Sequence, residues 1–263
     1  MVKVFIGVGH GGKDPGAVAN GLKEKDLNLS IALACQEELS RHGVSVFMSR
    51  TKDESEDLSE RIKECNAYNP ELALDIHNNA GGGDGAEVYH SHEGGKGKTL
   101  AENILAEMVN IGQNSRGAKT KLNSKGDDYF GFIRQADCPA VIVECAFVDN
   151  ATDIQIIDTA EEQKQMGVAI AKGTLKTLGI AYEEEKKGMV EVKVSVLKKG
   201  AKGDQVKALQ ALLIGYGYSC GWHGVDGSFG GTTDKAVRAY QKDNGLEVDG
   251  SVGSKTWNKL LGN

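Results

Sequence analysis

The sequence predicts an α/β fold, a mixed sheet flanked by helices on both faces, followed by a second, small three-helix domain. Three observations carry this. Short apolar runs alternate with amphipathic helical periods up to about residue 180, the pattern of a sheet with helices packed on it. Charge then divides the chain: residues 1–180 hold 19 Lys and Arg against 27 Asp and Glu, net −8, and residues 196–263 hold 9 against 6, net +3. Third, Val225-Asp226-Gly227-Ser228-Phe229-Gly230-x-x-Thr233 recurs as Val248-Asp249-Gly250-Ser251-Val252-Gly253-x-x-Thr256, each copy a tight Asp-Gly turn leading into a helix.

Taken in order, residues 2–8 read as a buried strand and 24–41 as a helix stopped by Gly43. Residues 44–48 form a second apolar run, and 55–68 a helix with Leu58, Ile62 and Cys65 on one face. Strands follow at 72–76 and 86–89, and an amphipathic helix at 98–111 through Leu100, Ile104, Leu105, Met108 and Ile111. Residues 129–133 and 140–143 read as two more strands, and 160–178 as the last helix of a domain spanning 1–180. Residues 181–195, with Glu183-Glu184-Glu185-Lys186-Lys187, read as a charged linker. Short helices marked by Val206, Leu209, Leu212 and Leu213, by Ala236, Val237 and Tyr240, and by Trp257, Leu260 and Leu261 build the domain at 196–263.

Composition narrows the class. The chain has 263 residues, 40% apolar and 26% charged, with net charge −6, as in soluble globular proteins. Its 35 Gly against 3 Pro show no three-residue period, which excludes collagen. No run approaches the roughly 18 apolar residues of a membrane span, so membrane insertion is not expected; nucleic acid is not an expected partner either. Five cysteines without CxxC spacing argue against a disulfide framework or zinc finger and suit small buried thiols.

The chemistry-bearing residues sit at element ends. His10 follows the first strand within Gly9-His10-Gly11-Gly12, His77 ends the third strand, Glu144 closes the 140–143 run, and Glu24 opens the first long helix. Ligands of open α/β sheets collect at the carboxyl ends of strands, and glycines around His10 let another group approach the backbone. Two His and a carboxylate with an open fourth position suit a catalytic Zn²⁺, and a second carboxylate can shuttle a proton. By position alone a strand-end His is more often a hydrogen-bonded surface or core residue, and Glu144 is equally half of a salt bridge. His90-x-His92 shares a strand face but runs into a solvated loop, and His42 ends a helix where a cation is welcome.

Gly9-His10-Gly11-Gly12-x-Asp14-Pro15-Gly16-Ala17 and Gly21-Leu22-Lys23-Glu24 are followed by Ser49-Arg50-Thr51-x-Asp53 and Leu58-x-x-Arg61 with Asn66. Ile76-His77-Asn78-Asn79-Ala80, Gly85-Ala86-Glu87-Val88-Tyr89 and Arg134-x-x-x-x-Pro139-Ala140-Val141-Ile142-Val143-Glu144-x-x-Phe147 complete the order. Over residues 2–179 this set resembles the zinc-dependent N-acetylmuramoyl-L-alanine amidases of the Amidase_3 family. The resemblance implies one Zn²⁺ bound by His10, Glu24 and His77, with Glu144 as the catalytic carboxylate. Cys145 departs from the family's usual small or apolar residue; if the strand continues, it faces away from Glu144. Asn79 either orients substrate or caps a turn, and Arg134 either holds a substrate carboxylate or pairs with a core acid. Leu197-Lys198-Lys199-Gly200-x-x-Gly203-Asp204-x-Val206-x-x-Leu209-Gln210, the two Asp-Gly turns and Tyr240-Gln241 resemble a peptidoglycan-binding domain of the PG_binding_1 type. Tyr216, Tyr218 and Trp222 are its candidate wall contacts, with packing as the other reading of each.

The resemblance implies hydrolysis of the amide between N-acetylmuramic acid and L-alanine, with peptidoglycan as partner. The N-terminus lacks the features of a signal peptide, which suggests an endolysin held in the cytoplasm until released to the wall. A sporulation autolysin, a zinc carboxypeptidase and a non-catalytic wall-binding protein are the alternatives. Glu183-Glu184-Glu185 before Met189 also permits an internal translation start, whose free binding domain would self-associate with the full chain.

Overall fold

The apolar run that opens the sequence becomes β1 (Lys3–Val8), buried from Val4 onward. The computed structural model describes residues 1–184 and 195–262, and the chain divides into two units, Met1–Glu184 and Glu185–Asn263. In the first, a small ribbon of β2 (Val18–Ala19) and β3 (Leu22–Lys23) leads into α1 (Glu24–Arg41). There follow β4 (Ser45–Met48), α2 (Leu58–Tyr68), β5 (Leu72–Asn79), β6 (Ala86–His90), α3 (Gly95–Asn110) and β7 (Ser115–Lys119). The unit closes with α4 (Gly131–Gln135), β8 (Ala140–Phe147), a 3₁₀ turn at Asp153–Ile156 and α5 (Ala160–Leu178).

Six strands form one sheet in the order β4-β1-β5-β8-β6-β7. The first four are parallel; β6 runs antiparallel to β8 and parallel to β7. The sheet is therefore mixed. On one face Ile6, Leu74, Ile76, Val141 and Val143 pack beneath α1, α3 and α5. On the other, Phe5, Ala73 and Ala140 meet Ile62 of α2 and Phe132 of α4. From β1 the chain goes first to β4 on one side and later to β5 on the other. The crevice at the carboxyl ends of β1 and β5 is thus the topological switch point where ligands bind in such sheets.

Several elements differ from the sequence reading. Residues 129–133 are not a strand; Gly131–Gln135 is a short helix whose Phe132 ring lies 6.2 Å from Phe5. A short apolar run carries no period long enough to separate helix from strand. Strand β7, SRGAK, is an added element that the sequence does not signal, since it is a half-exposed edge strand without an apolar run. The strand after Pro139 does not stop at Glu144 but runs to Phe147. Cys145 consequently faces the core beneath α1, away from Glu144, and its thiol is held protonated by burial. Helix α2 starts at Leu58, not Ser55, capped by the Asp57 carboxylate at 2.9 Å from the Glu60 amide, and Leu58 itself is exposed. Residues 181–184, read as linker from their charge, lie on the first unit: Tyr182 stacks on His42 at 4.9 Å. Met189 lies outside the described residues.

The second unit holds α6 (Asp204–Gly215), α7 (Gly231–Asp243) and α8 (Ser254–Leu260) around Val206, Leu209, Phe229, Val237 and Trp257. Its repeated turns are clamped alike by two buried glutamines. Gln210 Nε2 donates to Asp226 Oδ1 at 2.7 Å and to the Ser228 carbonyl at 3.1 Å, while its Oε1 accepts from the Gly227 amide at 2.8 Å. Gln241 repeats this with Asp249 (2.9 Å), Ser251 (3.0 Å) and Gly250 (3.0 Å). Truncating either side chain strands a buried amide and a carbonyl. Gln210→Ala should therefore cost about 2 kcal/mol or more and lower the melting of this unit by roughly 10 °C in calorimetry. A shift under about 2 °C would show that the clamp contributes nothing.

Candidate metal centre and catalytic groove

Beyond Val8 the chain leaves the sheet through His10, which adopts a left-handed backbone at φ 60°. This turns its imidazole toward the end of β5, where His77 lies 5.1 Å away, ring centroid to centroid, at 83°. The approach needs Gly9: a Cβ there would stand 2.2 Å from His77 Cε1. Glu24, first residue of α1, sits between the rings. Its Oε2 is 3.1 Å from His10 Nε2 and its Oε1 3.0 Å from His77 Nδ1. Donor atoms of the three side chains all lie within 4.8 Å of one another, the one such group among the described residues.

The other nitrogen of each ring meets a further carboxylate. Asp14 Oδ2 is 2.7 Å from His10 Nδ1, and Asp75 Oδ2 is 3.6 Å from His77 Nε2. Asp75 is itself buried and receives both of its hydrogen bonds from Arg61 Nη1, at 3.0 and 3.1 Å. Carboxylates behind imidazoles fix the ring orientation and tautomer, the arrangement found behind metal-ligating histidines.

The electrostatics follow from this layout. Contact with Glu24 raises the pKa of His10. Burial opposes charge on His77, yet Asp75 and Glu24 outweigh it and lift its pKa to about 10. Burial likewise opposes charge on Glu24, but the two imidazoles hold its carboxyl far below the usual range. The cluster thus favours positive charge between its members and keeps its own carboxylate ionised, which fits a cation.

Glu144 stands beside His77 in the β5–β8 register. Its Oε2 is buried and has no hydrogen-bond partner among the described residues. Burial raises its pKa to about 7, helped by the negative charges of Glu24, Glu87 and Asp75 and opposed by His77. A cavity of about 260 Å³ opens over the cluster, lined by His10, Asp14, Arg61, His77, Phe130 and Ile142 among others.

The remaining candidates are placed as follows. Asn79 Oδ1 accepts from the Ala80 amide at 2.8 Å, and its Nδ2 donates to Glu87 at 3.1 Å. Among the described residues Arg134 pairs with no core acid; its guanidinium donates to the carbonyls of Asp128 and Tyr129. His90 is buried, while the exposed His92 lies 2.9 Å from Asp128, so they share no site. In the second unit Tyr216 and Tyr218 both pack on Tyr240 and donate to Leu260 and Asp243, while Trp222 is 95% exposed. Sequence reasoning gave no role to Asp14, Asp75 and Arg61. The signals were present: Asp14 follows His10 by four residues, and Asp75 precedes His77 by two on the same strand face.

A family model described as N-acetylmuramoyl-L-alanine amidase matches residues 4–176. The chain belongs to this amidase family. A model for a peptidoglycan binding domain matches residues 202–260. The sporulation-specific N-acetylmuramoyl-L-alanine amidase of Bacillus subtilis is 33% identical over 210 residues, 78% of this chain and 79% of the relative. An endolysin of Bacillus phage SPP1 is 32% identical over 186 residues, 67% of this chain and 66% of the relative. The solved N-acetylmuramoyl-L-alanine amidase AmiC2 of Nostoc punctiforme superposes with a TM-score of 0.62 at 30% identity, covering 68% of this chain and 97% of that one.

The amidase hydrolyses the bond between N-acetylmuramic acid and L-alanine in peptidoglycan and acts on the cell wall through a catalytic and a wall-binding domain. No helix among its described residues is long and apolar enough to cross a membrane. Since His77 packs on Gly9, Gly9→Ala should displace the imidazole and cut lysis of wall suspensions about 10²-fold with far-UV circular dichroism unchanged. Activity within about twofold of wild type would contradict the close packing of these two residues.

Proposed function

We propose that His10, Glu24 and His77 hold one Zn²⁺ and that Glu144 carries the proton from the attacking water to the leaving amine. The observation behind the second role is the buried, unpartnered Oε2 of Glu144, beside His77 with its pKa raised to about 7. A zinc ion held by these three side chains would supply Lewis acidity, which lowers the pKa of a bound water to about 7 and polarises a carbonyl oxygen. Asp14 and Asp75 orient the imidazoles. A carboxyl with a pKa near the working pH can both accept and return a proton, which the deeply ionised Glu24 cannot.

In the wall-binding unit, Trp222 is the side chain free to stack on a sugar face, whereas Tyr216 and Tyr218 are committed to packing on Tyr240. The cellular role we infer is host lysis, on the likeness to the phage endolysin. A pore-forming holin gene beside this one supports it, and a place among sporulation genes assigns mother-cell lysis instead. New N-terminal alanine in digested walls separates the amidase from a carboxypeptidase.

Glu144→Gln is expected to retain one zinc per chain by elemental analysis while turnover falls about 10²-fold or more. Near-normal turnover removes Glu144 from the mechanism. Trp222→Ala should weaken sedimentation with insoluble walls about tenfold and leave hydrolysis of soluble muramoyl peptides unchanged. Undiminished sedimentation would move wall contact elsewhere on the unit.

A further inference from the structure

The sheet face that carries His77 continues as a row of polar side chains across four neighbouring strands. His77 and Asn79 stand on β5, Glu144 on β8, Glu87 and Tyr89 on β6, and Arg116 and Lys119 on β7. Glu87 lies opposite Glu144 in the antiparallel register. Its buried carboxylate accepts from Asn79 Nδ2 at 3.1 Å, Tyr89 Oη at 3.0 Å, Arg116 Nε at 2.8 Å and Lys119 Nζ.

Regular alternation along β7 would not turn both cations to this face. Ala86 pairs with Ser115 and Val88 with Ala118, three steps of β7 against two of β6. The bulge, with Gly117 at φ 92°, brings Arg116 as well as Lys119 onto Glu87. Bulges of this kind re-aim side chains beside active sites.

The pair is more than a cap for Glu87. Two cations share one carboxylate, so positive charge remains in a unit whose net charge is −10. The Arg116 and Lys119 side chains are 37% and 33% exposed. Arg116 is fixed by Nε on Glu87 and by its plane over Phe147, 5.0 Å from the ring centroid. Among the described residues its Nη1 and Nη2 donate to no protein acceptor, leaving the fork of donors that matches a carboxylate.

The reaction indicates what reaches this fork, and here the argument rests on the role proposed for Glu144. A carboxyl that protonates the leaving amine must lie within hydrogen-bond reach of that nitrogen. The peptide attached to the nitrogen therefore departs on the Glu144 side of the metal cluster, where β6 and β7 are the next strands. Tyr89, packed on Phe130 at 4.7 Å, and then Arg116 and Lys119 line that path. We propose that Arg116 and Lys119 bind a carboxylate of the stem peptide on the amine side of the scissile bond, so that the enzyme selects acidic stems over their carboxamide forms.

The test uses two soluble muramoyl peptides differing only in whether the residue after L-alanine bears a free carboxylate or a carboxamide. Wild type should favour the carboxylate substrate, and in Arg116→Gln the ratio of the two kcat/KM values should fall about tenfold. Because it is a ratio, it does not depend on the fraction of folded enzyme. A second readout needs no turnover: calorimetric affinity of the full chain for the released acidic peptide should weaken about tenfold in the same variant. Absence of the preference in wild type, or either quantity unchanged in Arg116→Gln, overturns the proposal. Near-normal turnover of Glu144→Gln would overturn the role of Glu144 instead, with the affinity readout still deciding the peptide site.

Discussion

The left-handed turn at His10 ends β1 and leaves the carbonyls of Val8 and Gly9 without further strand partners. Buried acceptors of this kind must be satisfied. The Val8 carbonyl receives Arg50 Nε at 3.3 Å and Arg61 Nη2 at 3.1 Å; the Gly9 carbonyl receives Asn28 Nδ2 at 3.0 Å and Arg50 Nη2 at 3.2 Å. Both arginines are buried, and a buried cation is tolerated only where it is paired and hydrogen-bonded. Arg61 meets this condition through Asp75 and Glu56. One network therefore joins the end of β1 to α2, to the start of α1 and to Asp75, and Asp75 sets the ring of His77. Breaking β1 creates the position of His10, and satisfying the break creates much of the frame for His77.

The same frame separates two acids that share a site. Glu24 lies between imidazoles and is held ionised, whereas Glu144 on β8, whose buried Oε2 has no hydrogen-bond partner among the described residues, is pushed up to about 7. Carboxyls driven apart in this way can take different tasks at one pH, one as a fixed anion and one as a proton carrier. Carboxylates alternate with imidazoles and a guanidinium along Asp14, His10, Glu24, His77, Asp75 and Arg61. This alternation lets so many ionisable groups pack together at the mouth of the crevice.

Much of the fold was legible in the sequence where a long period or a distinctive turn carried it. Helices 24–41 and 160–178 match α1 and α5 residue for residue, the latter with a Thr159–Glu162 capping box and Gly179 as its left-handed stop. The edge strand β7 and the five-residue helix α4 were not legible, because a short segment shows no periodicity and tertiary contact decides its form. At the site, His10, Glu24, His77 and Glu144 stood out as polar residues at element ends, and the structure brings them together. Their supports did not stand out: a single sequence does not reveal that Arg61 meets Asp75 or that Glu87 gathers Arg116 and Lys119. The glutamine clamps of the second unit were hidden for a simpler reason. Gln210 and Gln241 are 31 positions apart, while the turns they hold recur at 23, so a repeat defined by the turns leaves them out.

The account stands most directly on the make-up of the metal centre. Zinc K-edge X-ray absorption of the full-length protein should show one zinc per chain with two imidazole nitrogens and carboxylate oxygen in its shell, and no sulfur. Absence of bound zinc, or a sulfur ligand from any of the five cysteines, would contradict the assignment of His10, Glu24 and His77.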